Sequence, residues 1–150
     1  MSVNNTIWNE YSFTELNTGT LYQILALRTQ VFVVEQDCPY QDMDGLDQAA
    51  WHLCGVQGNE LVAYLRLLAP EVKYTEPAIG RVIVSTGQRS SGLGRELMEQ
   101  GMQAAQRYYP GKGIRLSAQF HLQSFYASLG FQPEGDEYLE DGIPHIEMLR

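Results

Sequence analysis

Apolar residues recur at Leu21, Ile24, Leu25, Leu27, Val31 and Phe32, close to the period of an α-helix, and predict one over residues 21–35. A short strand is expected ahead of it at 6–13, and Pro39 with the polar run 41–48 ends it. Residues 50–56 and 61–68 read as strands joined by Gln57-Gly58-Asn59, a hairpin signal. Residues 79–84, rich in β-branched side chains, read as a buried strand. The polar, glycine-containing stretch 85–94 then opens a helix whose apolar face is Leu93, Leu97, Gly101, Ala104, Ala105 and Tyr108. Pro110-Gly111 and Gly113 stop that helix. A strand at 114–117, a helix at 121–129 closed by Gly130, and a hairpin of 131–139 with 143–149 around Asp141-Gly142 complete the chain. The order β-α-β-β-β-α-β-α-β-β implies an α/β fold, a mixed sheet with helices on both faces. With no repeat or linker in view, residues 1–150 are expected to form a single domain.

Composition narrows the class. A chain of 150 residues, 44% hydrophobic, can bury roughly 70% of the surface its unfolded form exposes, so a core forms without metal or disulfide staples. Cys38 and Cys54 match neither zinc nor redox spacings and are expected to be reduced thiols. The amino terminus has no basic cluster and no apolar h-region, and the apolar stretch 61–69 is interrupted by Arg66; the expectation is a cytoplasmic protein with no membrane partner. A net charge of −8 and the lack of a basic stripe or aromatic platform argue against nucleic acid.

The segment Gln88-Arg89-Ser90-Ser91-Gly92-Leu93-Gly94 lies between a buried strand and a helix, where backbone N–H groups at a helix N-terminus can face a phosphate. Gly92 and Gly94 allow close approach, and Arg89 adds a permanent charge suited to a pyrophosphate. Neither the dinucleotide nor the P-loop fingerprint is present.

Together with its surroundings this loop resembles the acetyl-coenzyme A site of the GCN5-related N-acetyltransferase (GNAT) superfamily. Gly80-Arg81-Val82-Ile83-Val84 fits that family's fourth strand, and the run from Gln119 through Tyr126 to Gly130-Phe131 looks like its second cofactor motif. Ser90 and Gln119 depart from the residues common there, glycine and asparagine. The blocks Leu27 to Gln36, Cys38 to Asp42 with Asp44-Gly45, Gly80 to Ser85, and Glu140 to Ile146 are similar to the ElaA-type subgroup.

The resemblance implies acetyl transfer from acetyl-CoA to an amine by direct attack in a ternary complex, without a metal. Val82, Ile83 and Val84 would hold the pantetheine arm and polarise the thioester carbonyl, and Arg89, Ser90, Ser91, Gly92, Leu93 and Gly94 would hold the pyrophosphate, with Gln119 and Tyr126 also at the cofactor. Tyr126 is also the expected proton donor to the departing thiolate. For the base, His145, His121 or water remain open. Glu35 is expected to attract the amine's ammonium. It stands seven positions from Arg28, about 10.5 Å along a helix, so the two would share a face, although Arg28 suits an ordinary salt bridge better. Two other readings share the fold: a non-catalytic coenzyme A-binding or sensing module, and an acyl-homoserine-lactone synthase-like enzyme. The acceptor, a small-molecule or peptide amine, and a homodimer are left open.

Charge is unevenly spread. Residues 81–115 hold six basic residues against Glu96 and Glu99, whereas Thr29 to Leu65 holds Glu35, Asp37, Asp42, Asp44, Asp47 and Glu60 with no lysine or arginine. The expectation is a basic middle for a polyanionic cofactor, flanked by acidic segments that receive a cationic amine.

Overall fold

The computed structural model describes residues 5–150; residues 1–4, on which part of the amino-terminal reading rests, lie outside the described residues. Strands β1 (Ile7–Ser12), β2 (Trp51–Gln57), β3 (Glu60–Leu68) and β4 (Ala78–Val84) form an antiparallel meander. Strand β5 (Arg115–Gln119) lies parallel to β4, and β7 (Ile143–Leu149) pairs antiparallel with both β5 and β6 (Gln132–Glu140). The result is one seven-stranded sheet in the order β1-β2-β3-β4-β5-β7-β6. With α1 (Thr18–Arg28), α2 (Leu93–Tyr108) and α3 (Gln123–Ala127), the chain follows the predicted order element by element.

Alternation along β2 and β3 separates two core layers. Cys54 and Tyr64 pack with Ile24 of α1 on one face, and Leu53 and Leu65 pack with Leu97 and Met98 of α2 on the other. Gly101 sets how closely α2 lies on the sheet: a Cβ there would stand 2.6 Å from Leu65 Cδ2. Tyr108, expected on the buried stripe of α2, sits at its rim instead. It stacks on Trp51 with ring centroids 4.2 Å apart, and its hydroxyl donates to Glu10 at 2.7 Å.

The first helix differs from its prediction at both ends. It starts at Thr18 because Asn17 Oδ1 accepts the Thr20 N–H at 2.7 Å, a polar cap that leaves no apolar signal. From Thr29 to Glu35 it continues as wider π-type turns, which changes the angular step per residue. Arg28 and Glu35 therefore do not share the face that seven α-helical steps predict.

The feature that positions the site lies in β4. Arg66 pairs with Gly80 and Tyr64 with Ile83, so Arg81 and Val82 together oppose Leu65. This is a β-bulge, with Arg81 in the left-handed region at φ 51°. Past it, β4 turns away from β5, and the two strands pair only at Ala78 and Arg115. Beyond that pair, the β5-facing edge of β4 has no strand partner among the described residues. No helix among the described residues is long and apolar enough to cross a membrane. Among the same residues, no group of three or more His, Cys, Asp or Glu is placed to hold a metal ion.

Candidate active site

Where β4 and β5 part, a cavity of about 170 Å³ opens. Its wall includes Phe32 from the π-type turns and Gln36 just after them, Val82 from β4, Gln119 from β5, Tyr126 from α3 and His145 from β7. Ile83, named with Val82 from the sequence, turns its buried side chain to the α1 face, so only its backbone remains available at the split. The carbonyl of Val84 accepts from Arg89 Nε at 3.1 Å.

The loop before α2 is exposed from Arg89 to Gly92, and the helix start has no side-chain cap. Gly92 stands at φ 86° with open space where a Cβ would project, and Ser90 is also left-handed at φ 67°. The first N–H of the helix to find a carbonyl is that of Glu96, on Gly92 at 3.2 Å, so the donors ahead of it are the orphans that suit an anion. Leu93 is buried and offers only its backbone; Ser91 Oγ is used within the loop, on the Gln88 carbonyl at 2.5 Å. These residues fit the pyrophosphate of a coenzyme A, and the open edge of β4 fits its extended arm.

Arg89 is not free. Its guanidinium meets both oxygens of Glu35, at 2.5 and 3.1 Å, and the hydrogen bonds from Arg89 hold the Glu35 carboxyl below the usual carboxylate range. Thr86 Oγ1 also donates to Glu35, at 3.4 Å. Glu35 does not line the cavity, which corrects its placement as a free carboxylate at the acceptor: the π-type turns rotate it toward Arg89 in the loop before α2.

The acidic segment is neutralised as well. Asp42 accepts from Arg28 Nε at 2.6 Å and Arg81 Nε at 2.8 Å, Asp47 from Arg28 at 2.8 Å and Arg66 at 2.9 Å, and Asp44 from Arg66 at 2.8 Å. Arg28 and Arg66 are fully buried, so these pairs form in a medium where an unpaired charge is costly. Arg28 thus takes the salt-bridge role. The expectation that Asp42, Asp44 and Asp47 attract a cationic amine is corrected, because three arginines from α1, β3 and β4 already cancel them. Arg81 also donates from Nη2 to the Asp42 carbonyl at 2.8 Å, which pins the bulge in β4.

Tyr126 is 6% exposed; burial pushes its phenol up to about 12, and its hydroxyl makes no hydrogen bond among the described residues. His145 is 7% exposed. Its Nδ1 lies 2.7 Å from the Ile143 carbonyl, which can only accept, so Nδ1 carries a proton and the lone pair of the neutral imidazole is on Nε2. His121 is exposed in the turn before α3 and does not line the cavity.

Three residues beside His145 escaped the sequence reading. Tyr138 Oη, Ser117 Oγ and Glu140 Oε1 form a chain across β6 and β5, with Ser117 donating to the carboxylate at 3.3 Å and accepting from Tyr138. Ser117 and Glu140 line the cavity. A signal for part of this was present: the two-residue turn Asp141-Gly142 fixes the register that sets Tyr138 opposite His145, and Glu140 shares the face of Tyr138. Ser117 becomes a neighbour only because β5 pairs with β7.

A family model described as an acetyltransferase (GNAT) domain matches residues 15–150. The chain is 46% identical over 145 residues to Protein ElaA of Escherichia coli K12, covering 95% of both. Its fold matches the crystal structure of an acyl-CoA N-acyltransferase from Pseudomonas aeruginosa, at a TM-score of 0.92 and 47% identity over 97% of this chain and 99% of that one. It matches the crystal structure of E. coli ElaA equally, at 0.92 and 44% identity over the same shares.

Proposed function

The chain belongs to the GNAT acetyltransferase family, in its ElaA-type branch, and from that premise we propose that it transfers an acetyl group from acetyl-CoA to a primary amine by direct attack. The observation that carries this reading is the cavity in the β4–β5 split, whose wall includes two groups with no hydrogen-bond partner among the described residues, the Tyr126 hydroxyl and His145 Nε2. Acetyl-CoA supplies the activated acyl group. The uncapped start of α2 with Arg89 holds its diphosphate, while Val82, Val84 and Gln119 flank the arm. N–H groups on the free edge of β4 are placed to stabilise the charge that develops on the thioester oxygen.

A protonated amine sheds two protons on becoming an amide, and the departing sulfur gains one. His145 Nε2 takes the first and passes it to solvent. The Tyr126 hydroxyl gives its proton to sulfur as the C–S bond breaks, and the second proton leaving nitrogen restores the phenol. An alkylamine with pKa near 10.4 is about one part in a thousand or so neutral at pH 7, so removal of the first proton is a real requirement.

Thiol release from acetyl-CoA over a panel of amines tests the reading, with Tyr126→Phe as the decisive variant. The substitution keeps the ring and removes the hydroxyl, and kcat should fall about a hundredfold. A phenol near 12 stays protonated across the working range, so no loss of rate attributable to Tyr126 is expected below about pH 11. Unchanged turnover in Tyr126→Phe removes the proton-donor role, and coenzyme A binding without turnover of any amine favours a sensing module.

A further inference from the structure

Glu140 has two carboxylate oxygens in different states. Oε1 accepts from Ser117, whose oxygen is in turn held by Tyr138, so the carboxylate is fixed in orientation. Oε2 has no hydrogen-bond donor among the described residues, and it lies 3.9 Å from His145 Nε2. That gap is too long for a direct hydrogen bond, and one nitrogen placed at about 2.8 Å from each atom spans it. Both residues line the same cavity as Tyr126. The His145 side chain is 9% exposed, and its Nε2 has no hydrogen-bond partner among the described residues.

We propose that Glu140 is the binding residue for the acceptor's ammonium group, and that the acceptor is a cationic primary amine whose nitrogen bridges Glu140 Oε2 and His145 Nε2. This assignment rests on the amine-transfer reading above and deepens it by naming the acceptor class. A tetrahedral ammonium donates one N–H to the carboxylate and one to the imidazole. The proton that moves is the one on Nε2's side, leaving a neutral amine held by Glu140. The rest of the wall is mixed, with Phe32, Leu122 and Ile143 beside Gln36, Gln41, Lys73 and Asp141, so the carrier of that nitrogen meets both apolar and polar side chains. Among the described residues no lysine or arginine forms an ion pair with Glu140, in contrast to Asp42. Ser117 and Tyr138 act through Glu140 and are positioning residues.

The test compares two nucleophiles of similar shape: primary alkylamines, which are ammonium ions at pH 7, and O-alkylhydroxylamines, which are neutral there. In Glu140→Gln the KM for the alkylamine should rise about tenfold while the KM for the neutral nucleophile and for acetyl-CoA stays within about twofold. Ser117→Ala should give a smaller rise with the same selectivity for charge, which a general packing defect would not produce. Alkylammonium binding to the coenzyme A-loaded protein, read by saturation-transfer NMR, is measured in parallel and does not depend on turnover. Binding that disappears in Glu140→Gln supports the site even if wild-type protein acetylates none of the panel, an outcome that sinks the transfer reading alone. Equal losses on charged and neutral nucleophiles, or alkylammonium binding unchanged in the variant, overturn the assignment of Glu140.

Discussion

On one side of the cavity Asp42, with Asp44 and Asp47 behind it, meets the guanidinium groups of Arg28, Arg66 and Arg81; on the other, Glu140 keeps one carboxylate oxygen without a donor among the described residues. Both segments are acidic in sequence. The first is charge consumed in building the fold: it ties α1 to β3 and clamps the bulge that parts β4 from β5. The second is held by neutral hydroxyls, so its charge remains for a ligand. Acidic residues therefore report on substrate attraction only after their partners are known, and the denser cluster is here the less available one.

The largest expected effect comes from breaking the paired side. Asp47→Ala leaves Arg28 and Arg66 buried with a missing counter-charge and should cost about 3–5 kcal/mol in urea denaturation. Glu140→Gln should by contrast move the melting midpoint by no more than about 2 °C. Acid titration sharpens the point. Burial alone would raise the Asp44 and Asp47 carboxyls, but hydrogen bonds from Arg66 and Arg28 outweigh it and hold both below the usual range. A carboxyl depressed on folding contributes fully above its unfolded value near 3.9 and loses that contribution as the pH falls through its lower folded value. The difference between wild type and Asp47→Ala should be constant from pH 7 to about 5 and shrink below about 4. A difference that instead shrinks above pH 6 places the network's charge elsewhere.

Arg81→Gly should cost less, about 1–2 kcal/mol, because glycine accepts the left-handed backbone and Arg28 still neutralises Asp42. Denaturation of Arg81→Gly beside Asp47→Ala ranks the clamp against the buried core of the network; the reverse order would make the bulge the keystone. Smallest is Glu35→Gln. Its partner Arg89 is exposed, so the melting midpoint should hold, the KM for the amine should stay within about twofold, and the KM for acetyl-CoA should fall about twofold as Arg89 is released. A tenfold rise in the amine's KM would return Glu35 to the acceptor site.

Much of the site was legible because its signals are local. The loop from Arg89 to Gly94 sits where strand and helix periodicities meet, and Tyr126 follows from a motif on one short helix. His145 is one of three candidates for the base that the sequence leaves open, with His121 and water, and the turn at Asp141-Gly142 fixes its register with Tyr138. Glu35 was misplaced for a local reason of a different kind: a helix that changes from α to π type at Thr29 gives no distinct apolar pattern, so face arithmetic fails across it.

Sequence by itself determined the order of elements and the place of the glycine-containing loop between β4 and α2, since periodicity, turn residues and glycines act over a few neighbours. Only the tertiary structure decided which acids are spent and which are free. The partners of Asp42, Asp44 and Asp47 lie 14 to 39 residues away, and Glu140 meets Ser117 only through the pairing of β5 with β7. Charge pairing depends on distance in space and on burial, and neither is set by separation along the chain.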